Sequence, residues 1–217
     1  AQIVLLLIGK VPLFDTLCIT FGTAGTGGFG IVNDSIGSYS TYCQVVTTIF
    51  MILFGVNFSV YYLILTKKFR QAFKYEEVRY YFGIIIASIL IITFNTAHLF
   101  RNVLVAFQQA AFQVGSIITT TGFSSTDFNQ WPALSKTVLV LLMFVGACAG
   151  STGGGIKVSR ILILCKAAKK EFQLYLHPNA VKKIKMDSKI ISHEILRSTN
   201  IYISVYLLIF AASVLLI

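Results

Sequence analysis

A chain of 217 residues in which 56% are hydrophobic and only 12% charged, with a mean hydropathy of +0.78, departs from the roughly half apolar and about one-quarter charged composition of a soluble domain and reads as an integral membrane protein. The net charge of +10 does not indicate nucleic acid, because the basic residues fall in blocks between apolar runs, the pattern of cytoplasmic loops in a multi-pass protein. Cys18, Cys43, Cys148 and Cys165 stand alone with no CxxC spacing, which argues against a disulfide framework or a metal site and for small buried thiols.

Residues 3–8 are too few to cross a bilayer and read as the end of a helix that starts outside the chain. Lys10 and Pro12 close it, and Pro12 suits the first turn of a half-helix over 13–23 with Asp15 near its N-terminus. Five of the nine residues from Gly22 to Gly30 are glycine. Gly25-x-Gly27-x-x-Gly30 matches a dinucleotide-binding loop in form only: no strand precedes it and no helix opens after it, so a pore loop or a close-packed turn fits better. Residues 44–65 are expected to form the first complete transmembrane helix, with Asn57 turned to the protein interior. Lys67, Lys68, Arg70, Lys74 and Arg79 follow, with Glu76 and Glu77 as the acids among them; this block reads as a solvated cytoplasmic connector.

Residues 80–99 return across the membrane and bring His98 and Arg101 to the outer interface. Asn102 is placed to cap a second half-helix over 103–116. Its Gln108, Gln109 and Gln113 should face protein or water around a pore, because an unpaired amide in hydrocarbon costs on the order of a few kcal/mol. The run Ser116-Ile117-Ile118-Thr119-Thr120-Thr121-Gly122-Phe123 comes next, and its Thr-x-Gly-Phe end repeats Thr26-Gly27-Gly28-Phe29. Each copy follows a short apolar segment and precedes a polar loop bearing Asp34 or Asp127, the order of a re-entrant pore loop. Carbonyls of such a loop can replace the hydration shell of a monovalent cation, and Gly28 and Gly122 permit the dihedrals that turn successive carbonyls to one axis. Trp131, in the outer loop over 124–132, is expected at headgroup depth.

From Leu134 a membrane helix begins and then breaks. Gly146, Gly150, Gly153, Gly154 and Gly155, with Ser151 and Thr152 among them, make half of the ten residues 146–155 glycine. Helix is expected to resume over 158–175. Irregular backbone at membrane depth is tolerated only against protein or a water-filled cavity. The stretch therefore reads as a movable barrier on the inner side of a filter, or more simply as a small-residue packing patch. A phosphate-binding loop fails on spacing, since Ile156 separates Gly155 from Lys157 and Val158 stands where a hydroxyl belongs. A second basic block runs from Lys157 and Arg160 to Arg197 and is read as cytoplasmic. Residues 181–191 within it suggest a β-hairpin about Asp187-Ser188. The block serves as positive-inside charge, or as ground for a soluble partner or anionic lipid.

The chain divides into a partial pore repeat (1–66), a connector (67–79), a complete repeat with a broken inner helix (80–175), a cytoplasmic loop (176–199) and the start of a further repeat (200–217). About four filter loops surround an ion in pores of this kind, so the others are expected from sequence outside the chain rather than from a second copy. His98, His177 and His193 are scattered and no acidic pair lies at membrane depth, so an enzyme has no evident site.

Phe14-Asp15-Thr16-Leu17, Gly25-Thr26-Gly27-Gly28-Phe29-Gly30, Thr119-Thr120-Thr121-Gly122-Phe123 with Asp127-Phe128 and Trp131-Pro132, and Gly146-Ala147-Cys148-Ala149-Gly150-Ser151-Thr152-Gly153-Gly154-Gly155-Ile156-Lys157-Val158 together resemble the TrkH family of the Trk/Ktr/HKT superfamily over essentially the whole chain. The resemblance implies an all-α membrane protein of the bacterial inner (cell) membrane, with repeated helix–half-helix–filter–helix units arranged pseudo-fourfold around one pore. It implies potassium uptake, potassium as the bound ion with no organic cofactor, a homodimer, and a cytoplasmic ring of nucleotide-binding TrkA-type subunits. Carried over by position, the filter is Thr26, Gly27, Gly28, Phe29, Thr119, Thr120, Thr121, Gly122 and Phe123, with potassium at Thr26, Gly27, Gly28, Thr120, Thr121 and Gly122. The intramembrane gate is Gly146 to Gly155, and Lys157 and Arg160 are expected to couple it to the partner. Gly27 and Thr121 replace the valine of potassium channels before the glycine, which leaves the strictness of potassium over sodium open. A sodium- or ammonium-permeable pore and a non-transporting membrane scaffold are the other readings of these residues.

Overall fold

The computed structural model describes residues 1–177, 183–187 and 189–216. Among the described residues the regular structure is helical apart from one two-stranded hairpin. Helix α1 (Gln2–Ile8) leads to α2 (Leu13–Ala24), then α3 (Thr41–Phe54), α4 (Phe58–Leu65) and the single turn α5 (Phe69–Ala72). Helix α6 (Glu76–Thr96), α7 (Val103–Ile118), α8 (Ala133–Val145) and α9 (Val158–Leu176) follow, and after the hairpin β1 (Lys185–Met186) and β2 (Lys189–Ile190) comes α10 (His193–Leu215). The short apolar α2 and α7 are the two expected half-helices. Among the described residues, α6 with its 3-10 extension to Leu99 and α10 are long and apolar enough to cross a membrane, and the bent pair α3–α4 makes a third if counted as one span.

Helix α7 sits between two cores. Its Ala110, Val114 and Ile118 join Tyr81, Ile85, Ile89 and Ile92 of α6 and Leu139 and Leu142 of α8. Phe112, on its other side, joins Leu6, Ile19, Val46, Met51 and Phe123. The faces turned away from these cores remain apolar, as Ile86, Phe94, Leu104, Leu141 and Leu208 show, which is the pattern of a helix whose outer solvent is hydrocarbon rather than water.

Residues 44–65 do not form one straight helix. They bend by 92° between α3 and α4. Asn57 stands at the break, where its Oδ1 accepts the Ser59 amide at 2.8 Å and caps α4. Asn102 stands at the start of α7 but makes no side-chain cap there. Trp131 is 4% exposed and packs edge-on against Phe100, so its indole belongs to the protein core. Cys18 is half-buried and Cys43 and Cys148 are buried, but Cys165 is exposed on α9.

Helix α6 begins at Glu76, a turn ahead of residue 80, because Asp187 from the distant hairpin accepts the Glu76 amide at 2.6 Å. Helix α10 begins at His193 rather than 200, where Ser192 Oγ accepts the Ile195 amide at 3.4 Å. The hairpin pairs Lys185 with Ile190 and Met186 with Lys189; residues 181, 182 and 188 of the expected segment, and 217 at the end of the last helix, lie outside the described residues.

The α3–α4 bend leaves a glycine under close packing. A Cβ on Gly55 would collide with the Tyr81 hydroxyl, which donates to Ile52 O at 3.0 Å from a fully buried side chain. Gly55→Ala should cost about 1–3 kcal/mol of stability by overpacking, read as a lowered thermal midpoint of the purified full-length protein in detergent. Adding Tyr81→Phe should recover part of that loss, and no recovery would place the strain elsewhere.

Candidate functional site: two filter loops over a glycine-rich plug

The two Thr-x-Gly-Phe loops have the same backbone. The first and third residues of each, Thr26 and Gly28 in one and Thr120 and Gly122 in the other, have φ of +51°, +65°, +58° and +88°, whereas Gly27 and Thr121 between them do not enter that region. Alternating handedness turns successive carbonyls toward one side, the arrangement a dehydrated cation requires. The loops also leave their half-helices alike: the Gly27 amide donates to Gly22 O at 2.8 Å and the Thr121 amide to Ser116 O at 2.9 Å, while the amides of Thr26 and Thr120 donate to Thr23 O and Ile117 O at 3.3 and 3.0 Å. Each loop thus emerges at the C-terminal end of a half-helix, where the aligned peptide dipoles place roughly half a negative charge.

The loops lie side by side. A Cβ on Gly28 would overlap the Thr121 carbonyl oxygen, whereas one on Gly122 would meet open space. Glycine is therefore required at position 28 by both handedness and contact, and at 122 by handedness alone. Phe123 is 1% exposed, and its ring lies 3.1 Å from where a Cβ on Gly22 would be. Its counterpart Phe29 is 87% exposed.

A polar lattice holds the outer ends. The Ile36 amide donates to Ser124 O at 2.9 Å, and the Ser124 amide to Ser35 Oγ at 3.2 Å. Gln108 and Gln109 donate to Gln44 Oε1 at 3.0 and 3.3 Å, Ser125 donates to Gln109 Oε1 at 2.5 Å, and Gln113 donates to Thr126 O at 3.1 Å. Protein groups bond these amides, and they brace the loops from behind. Tyr39 donates to Asp15 Oδ2 at 2.8 Å. Burial, and then that bond, pushes the phenol up to about 12, so it stays a donor at physiological pH.

Residues 146–157 lie against the inner ends of both loops. Thr26 Oγ1 donates to Thr152 O at 3.1 Å, the Gly154 amide donates to Thr120 Oγ1 at 2.6 Å, and a Cβ on Gly153 would come within 3.0 Å of Thr119 O. The neck of this segment is closed by backbone contact: a Cβ on Gly146, at φ +71°, would lie 2.6 Å from Gly154 O and 3.0 Å from the Gly155 Cα. Its far side fills the α3–α4 break, where the Cys148 amide donates to Gly55 O at 3.0 Å and the Phe58 amide to Gly150 O at 2.9 Å. Gly150 faces the break and Ser151 Oγ bonds Cys148 O at 2.7 Å, Thr152 spans both sides with Oγ1 on Phe54 O at 3.4 Å and its carbonyl on Thr26, and Gly153 and Gly154 lie against Thr119 and Thr120.

Lys157, at φ +81°, turns back so that its Nζ donates to Gly153 O within the same segment. Arg160 bonds Ile156 O at 3.1 Å and stacks over Tyr202 of α10 at 4.0 Å. The structure thus places Lys157 inside the plug and Arg160 between α9 and α10. One participant escaped the reading of the sequence. Glu77 is 3% exposed, and its Oε1 accepts the amides of Ala149 at 2.6 Å and Ser159 at 3.1 Å. Its position in a basic block was the only sequence signal, and that gave no hint of partners 72 and 82 residues away.

A family model described as "TrkH: Cation transport protein" matches residues 4–217. The Trk system potassium uptake protein TrkH of Salmonella typhimurium is 33% identical over 211 residues, covering 95% of this chain and 44% of that protein. The Trk system potassium uptake protein TrkG of Escherichia coli is 31% identical, covering 96% and 44%. The crystal structure of the potassium transporter TrkH from Vibrio parahaemolyticus superimposes with a TM-score of 0.92 at 30% identity, over 97% of this chain and 46% of that one. The chain therefore spans less than half the length of these relatives, and it belongs to the TrkH family of cation transport proteins.

Proposed function

We propose that this chain forms part of a potassium uptake pore in the bacterial inner membrane. The observation that carries the reading is the repeated alternation of handedness through Thr26-Gly27-Gly28 and Thr120-Thr121-Gly122, which sets carbonyls side by side at the negative ends of α2 and α7. Potassium sheds water there, with Phe29, Thr119 and Phe123 framing the binding residues. Flexible carbonyl rings separate ions by small energy differences, so selectivity depends on the backbone staying in place.

The pore is pseudo-fourfold, with further filter repeats supplied by the longer protein. Phe123 is covered by α2 of the preceding repeat, and the exposure of Phe29 at the equivalent place suits a half-helix lying over it in the same way. Residues Gly146 to Gly155 are the gate. They are bonded to Thr26 and Thr120 from below, which closes the path in this conformation. Lys157 braces the loop, and Arg160 passes the state of α9 and α10 to it. A homodimer regulated by a cytoplasmic nucleotide-binding TrkA-type ring completes the assembly, with potassium as the bound ion.

In the full-length protein, in cells lacking other potassium uptake, Gly122→Ser should reach the membrane and lose about tenfold or more in potassium over sodium preference, the equivalent of roughly 1.4 kcal/mol. Uptake competed by sodium reads this, and unchanged preference would remove Gly122 from the filter. Gly28→Ala should abolish uptake outright, because its Cβ has no room beside Thr121; retained wild-type flux would contradict the paired-loop site. Deleting residues 150–155 should raise rubidium flux into proteoliposomes, and an unchanged rate would leave the segment as packing only.

A further inference from the structure

Two successive glutamates open α6 and hold different parts of the molecule. Glu76 accepts Lys166 Nζ of α9 on both carboxylate oxygens at 2.6 Å. It is also joined to the hairpin: its amide donates to Asp187 Oδ1 at 2.6 Å, and Asp187 returns its own amide to Glu76 Oε2 at 3.4 Å. The hairpin is tied to α9 as well, since Lys166 Nζ donates to Lys185 O at 2.7 Å. Glu77, the next residue, is buried and receives the amide of Ala149 inside the glycine loop and that of Ser159 in the first turn of α9. A buried carboxylate that accepts two backbone amides is costly to displace, because moving it leaves those amides without their acceptor.

We propose that Glu76 and Glu77 form a clasp that couples the cytoplasmic hairpin and α9 to the glycine loop, with Glu77 as the positioning residue that holds the loop closed. The inference rests on the gate assignment above. A pull on the hairpin reaches Glu76 through Asp187 and Lys166, and Glu76 cannot shift without its helical neighbour Glu77. Helix α9 gives a second, rigid path, since it runs unbroken from Ser159 to Lys166. The coupling needs no ligand at the acidic pair: Glu76 is held by Lys166 and Asp187, and Glu77 by the amides of Ala149 and Ser159.

Rubidium flux through the purified full-length protein in proteoliposomes, without a cytoplasmic partner, tests the clasp. Glu77→Leu removes the acceptor and should raise flux about two- to thirtyfold, the range for a residue that biases a two-state element, with no change in the rubidium concentration for half-maximal rate. Glu77→Gln keeps Oε1 and should stay within about twofold of the parent on the same scale. Lys166→Met, at a partly exposed site, should also raise flux, and the double variant should exceed neither single one by more than about twofold, because the two act through one element. If Glu77→Leu or Lys166→Met reaches the membrane and leaves flux unchanged, or if their effects multiply, the clasp is wrong; should Glu77→Leu not assemble, Lys166→Met decides alone. The deletion of residues 150–155 run alongside separates the causes: raised flux there with silent clasp variants overturns the clasp only, and silence in both removes the gate as well.

Discussion

Everything in this structure depends on the rule that a backbone leaving helical geometry inside a membrane must find its hydrogen bonds within the protein. Among the described residues the chain leaves that geometry at the two Thr-x-Gly-Phe loops, at the α3–α4 bend and over residues 146–157. Beyond the bonds each makes to its own helix, these breaks bond one another. The glycine segment donates the Cys148 amide to Gly55 O and accepts the Phe58 amide on Gly150 O across the bend, and it meets both Thr-x-Gly-Phe loops through Thr26 and Thr120. The irregular parts therefore form one interior unit, with helices around it.

Glycine serves this unit in two ways. At Gly28, Gly122 and Gly146 it supplies positive φ, which other residues adopt at a cost. At Gly28 and Gly146 it also admits a neighbouring backbone where a Cβ would not fit. Thr26, Thr120 and Lys157 take the same handedness without being glycine, and each carries a side-chain bond that holds it there. Strained residues persist where their surroundings over-determine them, and all three bond residues 152–154 of the glycine segment.

Membrane character, the order of half-helix, filter and inner helix, the repeat of Thr-x-Gly-Phe and the broken helix at 146–157 were all legible in the chain, because each is local: apolar runs, glycine clusters and charge blocks are written in neighbouring residues. The family resemblance rested on the same local runs, and the comparisons bear it out. Local signals misplace what depends on distant partners. The 92° bend at Gly55–Asn57 looks like one apolar helix until Cys148 and Gly150 supply its missing bonds. For Trp131, expected at headgroup depth, local signals do not show that Phe100 and the core enclose it.

Sequence by itself determined that this is a helical membrane chain with a repeated Thr-x-Gly-Phe loop and a glycine-rich interruption, since hydropathy and backbone permissiveness are properties of single residues and short runs. Only the tertiary structure decided that the interruption lies under both loops, which groups the glutamines bond, and that Glu77 is buried on Ala149 and Ser159. The physical reason is that a hydrogen bond records which groups meet in space. A carboxylate in a basic block looks the same in sequence whether it faces solvent or holds two amides from the far side of a fold.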